Sequence, residues 1–315
     1  MNIPRVKHSV LSVLYIGATA MLVSASSCAP LLSTREEDVQ KRVVLKTDPP
    51  LTLAVEEAGA GEPILFIHGL GTSTYTWRHL LPEFAKTNRV IAIDLKGFGA
   101  SDKPADEKYS VIDQAALVRT FIEQENLQNL TVMGHSFGGG VTLALALDLA
   151  ESKSRRLKQI VLMDTIAYKQ TLPIFFQILT TPAIGPISMH LIPPEVQITE
   201  ALNIAYHDDK AIPAASVIEY AQPLYAPEAK EALRKTVLQI IPPDIDEYAA
   251  RYKSIKLPTL ILWCQHDKII PLAFGRRLAL DINGAKLNIL KDCGHMPQEE
   301  RPAETIRAVR TFMKR

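Results

Sequence analysis

A serine enclosed by glycines is the first feature of the sequence that could do chemistry. The segment TVMGHSFGGGVTLALAL, residues 131–147, has Gly134 and Gly138 on either side of Ser136. Glycine lowers helix propensity and costs backbone entropy, so its repeated use where a helix should begin needs a steric reason. A strand before Ser136 and a helix from about Phe137 would leave a very tight turn with no room for flanking side chains. The pattern predicts a hydroxyl held at the end of a strand and at the N-terminus of a helix.

A serine hydroxyl is a poor nucleophile unless a base removes its proton and a third group orients that base. Two downstream residues could do this. Asp267, in LWCQHDKIIP, follows one predicted strand, and His295, in KDCGHMPQEERP, follows the next. Because the carboxyl ends of parallel strands meet at one edge of a sheet, we expect both side chains near Ser136. The sequence therefore predicts Ser136, His295 and Asp267 as nucleophile, base and orienting acid.

Other polar residues are alternatives to parts of this set. Asp164 ends the preceding predicted strand and is an alternative acid. His266 adjoins Asp267 and is interpreted as a loop or packing residue, and His190 and His207 as structural or substrate-facing residues. No paired His or Cys/His spacing resembles a zinc site, so the sequence predicts neither a metal nor a cofactor.

An oxyanion formed at the serine would need two aligned backbone N–H donors. We expect one from Phe137, directly after the serine, and the other from Leu70, in the glycine-containing loop that follows LFIHG. His68 is interpreted as a brace for that loop. Asp94 and the segment GFGASDKP (97–104) are interpreted as a structural turn at the same edge.

Short apolar runs alternate with longer amphipathic ones along most of the chain. Near-continuous Val, Ile and Leu runs are typical of strands buried on both faces of a parallel sheet, and the alternation predicts a doubly wound α/β fold. An antiparallel pair is expected at one edge, in VVLKTDPPLTLAVEEAG. Residues 168–254 lack strand-like runs and are predicted to form a helical insertion. The predicted parallel strands are PILFIHG (63–69), RVIAIDL (89–95), LTVMGHS (130–136), QIVLMDT (159–165), PTLILWCQHD (258–267) and KLNILKDCGH (286–295).

The overall charge balance argues against nucleic acid as a partner. The 315 residues carry a formal net charge of +1, and no basic patch is interleaved with aromatic residues. A small-molecule substrate is the expected partner, with membrane contact only through a lipid anchor at the N-terminus.

The N-terminus has the layout of an export signal. Two basic residues precede an apolar run over 10–23, and small residues then lead to Cys28, so residues 1–28 are predicted to be a signal peptide. SASSC resembles a bacterial lipoprotein signal, in which case Cys28 would be the lipidated first residue. Ordinary cleavage near Ala25 or Ser27 is one alternative, and a retained membrane anchor is another. Each outcome predicts an exported protein, periplasmic or anchored to a membrane. Cys264 and Cys293 would then be available to form a disulfide. From sequence we favour the interpretation that both are small buried apolar residues without a disulfide.

Several motifs occur together in one order and resemble the α/β-hydrolase superfamily in its branch with helical caps. They are HGLG, DLKGFGASDKP, GHSFGG, WCQHDKIIP and GHMPQEERP. The resemblance implies a core formed by residues 45–167 and 255–315, a cap at 168–254, and a nucleophile elbow at Ser136 followed by acid and then histidine. Lys96 and Cys264 depart from the residues common in the family. Members with an aspartate nucleophile, haloalkane dehalogenases and epoxide hydrolases, do not match Ser136.

The resemblance and the predicted triad together indicate a serine hydrolase acting on carboxylic esters. The run LPIFFQILTTPAIGPISMHLIPP (172–194) would either line a pocket for a lipophilic group or pack the insertion onto the core. Within the same fold, the alternatives are a hydrolase of carbon–carbon bonds in diketone-like substrates and a cofactor-free peroxidase. A non-catalytic binding protein is the alternative outside enzymes.

Overall fold

The computed structural model describes residues 40–314. The predicted signal peptide, residues 1–28 with Cys28, lies outside the described residues. Its cleavage, lipidation and destination therefore stay predictions.

The fold is built on an eight-stranded sheet with the spatial order β1-β2-β4-β3-β5-β6-β7-β8. β1 and β2 are antiparallel to each other, β2 is antiparallel to β4, and all other neighbours are parallel. This confirms the predicted α/β fold with an antiparallel pair at one edge. The strands are β1 Gln40–Leu45, β2 Leu51–Ala58, β3 Pro63–Ile67, β4 Arg89–Ile93, β5 Leu130–His135, β6 Leu157–Met163, β7 Thr259–Cys264 and β8 Lys286–Leu290.

Helices cover both faces of the sheet, as the continuous apolar runs of the strands require. In β3, Leu65 and Ile67 pack in one apolar cluster while Ile64 and Phe66 pack in the other. The first cluster includes side chains of α2, α3 and α10, and the second includes those of α1 and α12. The helices are α1 Leu81–Ala85, α2 Val111–Gln124, α3 Phe137–Glu151, α4 Ile174–Thr180, α5 Ile184–Leu191, α6 Pro194–Ala205, α7 Ala214–Ala221, α8 Pro227–Leu238, α9 Ile245–Arg251, α10 Leu272–Asp281, α11 Pro297–Glu300 and α12 Pro302–Met313.

All of the regular secondary structure between β6 and β7 is helical. Residues 164–258 are all described, and they contain α4 to α9 with short 3-10 turns and no strand. Within residues 40–314, no single helix is long and apolar enough for a membrane span. Within the same residues, α4 and α5 are long and apolar enough only when taken together, and the chain bends by 110° between these two helices.

A buried carboxylate fastens the insertion to the core. Glu299 accepts hydrogen bonds from Arg78 at 2.8 Å, from the Tyr206 hydroxyl at 3.0 Å, and from the hydroxyls of Thr76 and Tyr220. Tyr206 and Tyr220 belong to the insertion and the other three residues to the core. Because a buried charge without partners is strongly destabilising, these donors stabilise Glu299, and two of them connect the insertion to the core.

Cys264 and Cys293 form a disulfide, with their Cα atoms 4.9 Å apart. The interpretation as two unpaired apolar residues was therefore wrong. β7 and β8 are adjacent parallel strands, so the residues at and just after their carboxyl ends come within bonding distance, which the sequence alone does not reveal. The bond links the end of β7 to the loop that carries His295.

Removing this disulfide is expected to lower the free energy of unfolding by about 3–4 kcal/mol, because it releases a loop of 29 residues in the unfolded chain. Urea denaturation of the double variant Cys264→Ala, Cys293→Ala would measure the loss. The wild-type protein with and without a thiol reductant is the control. Equal unfolding midpoints for the oxidised and reduced proteins would contradict the bond.

Candidate active site

Ser136 occupies a one-residue turn between β5 and α3. β5 ends at His135 and α3 begins at Phe137, and Ser136 has φ 53° and ψ −116°. A positive φ is costly for a residue with a side chain and is retained where the surroundings enforce it. A Cβ on Gly134 would lie 2.3 Å from the Gly138 carbonyl oxygen, which leaves no space for a side chain. The steric reason inferred from sequence is therefore present.

The structure brings the three predicted catalytic residues together in one line of hydrogen bonds. Ser136 Oγ lies 2.9 Å from His295 Nε2, and His295 Nδ1 lies 2.7 Å from Asp267 Oδ2. All three side chains are buried. The pattern assigns the ring proton to Nδ1, which donates to the carboxylate, and leaves Nε2 to accept from the serine hydroxyl.

Backbone groups hold the acid in place. Asp267 follows β7, and its Oδ1 accepts the N–H groups of Ile269 at 2.7 Å and Ile270 at 2.8 Å. Its other oxygen is thereby directed at His295. A carboxylate fixed by several N–H donors is stabilised in its charged form, which is the form that can orient an imidazole.

Two residues that sequence reasoning missed hold the histidine. Glu300 accepts the N–H groups of Gly294 at 3.0 Å and Met296 at 3.1 Å, so it binds the backbone on both sides of His295. Burial raises the pKa of Glu300 from its ordinary value. His135 donates from Nε2 to the His295 carbonyl oxygen at 2.7 Å, and its own burial lowers its pKa well below the usual range, so its ring is neutral. The only sequence signal was their place next to Ser136 and inside GHMPQEERP.

The two predicted oxyanion donors belong to segments that border Ser136. Leu70 lines the cavity above the serine, and Phe137 begins α3, so its N–H is among those with no acceptor inside the helix. A Cβ on Gly69 would lie 3.2 Å from Ser136 Cβ, which shows how closely this loop approaches. His68 braces the loop as expected, because its Nδ1 donates to the Gly69 carbonyl oxygen at 2.8 Å.

The alternative residues occupy other positions. Asp267, and not Asp164, receives the His295 Nδ1–H. Asp94 accepts backbone N–H groups of Thr74 at 2.7 Å and Ala100 at 2.8 Å, which agrees with a structural turn. His190 hydrogen bonds to the Pro186 carbonyl oxygen.

An exposed cluster near this edge was not predicted. The rings of His207 and His266 stack with centroids 4.4 Å apart, and their nitrogens lie within 4.8 Å of an Asp292 oxygen. These are ligand types that bind transition metals, although no spacing in the sequence pointed to them. The three side chains come from the insertion and from the loops after β7 and β8.

An apolar cavity opens above Ser136. The space above the serine amounts to about 930 Å³, part of which is open solvent at the mouth of the cavity. No Lys, Arg, Asp or Glu is found among the described residues that line it. Gln170 Nε2 is buried in the wall and has no acceptor within residues 40–314. The apolar wall of the insertion consists of Leu172, Phe175, Phe176, Leu179, Ile198, Ala201, Leu202, Ala205, Leu224, Leu233 and Ile240.

Known proteins share this sequence pattern and this fold. The model of the alpha/beta hydrolase family matches residues 64–308. A 2-hydroxymuconate semialdehyde hydrolase of Pseudomonas sp. (strain CF600) is 30% identical over 272 residues, which cover 82% of this chain and 89% of that protein.

Two solved structures illustrate the likeness of fold. An alpha/beta hydrolase fold protein from Burkholderia ambifaria superposes with a TM-score of 0.75 at 24% identity, over 86% of this chain and 97% of that one. An esterase from Thermogutta terrifontis superposes with a TM-score of 0.71 at 23% identity, over 87% and 98%. With the family model matching most of the sequence, the chain belongs to the alpha/beta hydrolase family and is a hydrolase.

Proposed function

We propose that this hydrolase cleaves carboxylic esters with a lipophilic acyl or alcohol part, using Ser136, His295 and Asp267 as its catalytic triad. The observation that carries the proposal is the unbroken hydrogen-bond line from Asp267 through His295 to Ser136 beneath an apolar cavity. A binding protein would need a cavity but no such line of acid, base and strained serine.

The reaction follows from this geometry. His295 Nε2 takes the proton of Ser136 as Oγ attacks the ester carbonyl carbon, and Asp267 stabilises the imidazolium that forms. The Leu70 and Phe137 N–H groups donate hydrogen bonds to the carbonyl oxygen as it becomes negatively charged. His295 then returns the proton to the leaving alcohol, and water attacks the acyl-enzyme by the same route to release the acid.

The cavity wall supports a lipophilic, uncharged substrate. Its surface is almost entirely apolar, and burying an unpaired carboxylate against such a wall costs several kcal/mol. Gln170 offers one buried amide donor for a neutral oxygen of the substrate. Phe175 and Phe176 line the cavity with aromatic rings, which would pack against an acyl chain.

Hydrolysis of a carbon–carbon bond is the second candidate, because the 30% identical relative is named 2-hydroxymuconate semialdehyde hydrolase. A muconate is a carboxylate, and the described cavity offers it no cation. This difference separates the two candidates.

We expect medium-chain nitrophenyl esters to be cleaved with a kcat/KM at least about a hundredfold above that for a dienoate diketone, given the cost of burying the free carboxylate. Initial rates on both substrate series, with fluorophosphonate labelling of Ser136, provide the measurement. Ser136→Ala is the control for background hydrolysis. Faster cleavage of the dienoate would assign carbon–carbon hydrolysis, and absence of labelling would indicate a non-catalytic protein.

A further inference from the structure

A second carboxyl group lies against the triad acid without a role in the proposed reaction. Asp164 directly follows β6 and is fully buried, with its backbone N–H bonded to the Leu262 carbonyl oxygen at 3.1 Å. Its Oδ1 accepts the Cys264 N–H at 2.9 Å. Its Oδ2 is buried and receives no hydrogen bond from residues 40–314. One carboxyl oxygen of Asp164 lies within 4.8 Å of a carboxyl oxygen of Asp267.

The two carboxyl groups differ in how many donors they receive. Asp267 accepts three N–H groups, two from the backbone and one from His295, whereas Asp164 accepts one. Two adjacent buried carboxylates cannot both remain ionised at low cost, and the one with more donors keeps the charge. A carboxylate has about four acceptor sites, so Asp267 Oδ2 retains one beside the site occupied by His295.

We propose that Asp164 is a neutral carboxylic acid that donates a hydrogen bond from Oδ2 to Asp267. In this way it serves as a positioning residue for the triad, a role that rests on the proposed function. This bond uses the last acceptor site of Asp267 and gives a partner to the buried Oδ2. It holds the Asp267 carboxylate in the plane that faces His295 Nδ1.

The electrostatic surroundings agree with a neutral Asp164. Burial raises the pKa of Asp164 well above its usual value, and the negative charge of Asp267 raises it further, with a smaller contribution from Glu300. The Cys264 N–H acts in the opposite direction but is a single donor. With Asp164 neutral, Asp267 is the carboxylate that faces the imidazolium of His295 during the reaction.

Matched amide variants give the kinetic test. Asn at position 164 can donate from its amide nitrogen to Asp267 and accept the Cys264 N–H through its oxygen, so Asp164→Asn is expected to keep kcat within about threefold. Asp164→Ala removes the donor and should lower kcat about ten- to a hundredfold, the value of one hydrogen bond to a charged group. Asp267→Asn should lower kcat about 10⁴-fold. A large loss in Asp164→Asn would overturn the proposal.

An infrared measurement decides the protonation state independently of activity. The spectrum of the wild-type protein minus that of Asp164→Asn, at pH 7, should contain the C=O stretch of a carboxylic acid. The same subtraction for Asp246→Asn, at an exposed site on α9, should show a carboxylate and is the control. A carboxylate band for Asp164 would overturn the proposal even in a protein that cleaves esters. Conversely, an acid band with no ester cleavage would reject the proposed function alone.

Discussion

Ser136→Ala is expected to lower kcat for ester hydrolysis by about 10⁴- to 10⁶-fold, the largest effect of any single change on activity. The Ser136 hydroxyl is the nucleophile that hydrogen bonds to His295, at 2.9 Å from its Nε2. Alanine fits the turn with a smaller side chain, so the fold should remain. Steady-state rates on a nitrophenyl ester, with far-ultraviolet circular dichroism to verify folding, provide the measurement.

The double variant sharpens this expectation. The serine and the histidine act as one unit. We therefore expect the same kcat, within a small factor, for Ser136→Ala, for His295→Ala and for the double variant that combines them. Multiplicative losses would indicate that the two residues act separately. A folded Ser136→Ala protein that retains wild-type turnover would show that the nucleophile is elsewhere.

The sequence was sufficient for the architecture because the buried strands carry a strong and continuous apolar pattern. Strands such as β5 and β7 are apolar on both faces, which only a parallel sheet covered by helices on both sides can bury. The positions of Ser136, Asp267 and His295 followed from topology, since Ser136 comes directly after β5 and the other two lie in the loops after β7 and β8, at the same edge of the sheet.

The supporting contacts could not be predicted in the same way. Glu300 and His135 hydrogen bond to the backbone around His295. Such a contact requires no particular side chain at the backbone position, so the sequence carries no matching pair of residue types. The disulfide depends on the adjacency and register of β7 and β8, which the order of strands along the sequence does not determine. The proton inferred between Asp164 and Asp267 depends on a contact across two strand ends.

Gly138→Ala is expected to lower the free energy of unfolding by several kcal/mol, although it adds only one methyl group. Its Cβ would lie 2.3 Å from the Ile67 carbonyl oxygen and 2.4 Å from that of His68, both backbone atoms that cannot rotate away. In an ordinary helix the same change would stabilise by about 1 kcal/mol. The clash must therefore reverse the sign, at a cost typical of overpacking, about 1–3 kcal/mol or more.

Gly140→Ala is the matched control, because it adds the same methyl group two residues further along α3. There the nearest atoms, belonging to Ile166, lie 3.1 Å from the added Cβ, so a shift of a few tenths of an ångström suffices. Urea unfolding should place Gly140→Ala close to the wild-type protein and Gly138→Ala far below it. If Gly138→Ala were as stable as wild type, α3 could not approach β3 as closely as the elbow requires, and the position of Ser136 above the sheet would have to be revised.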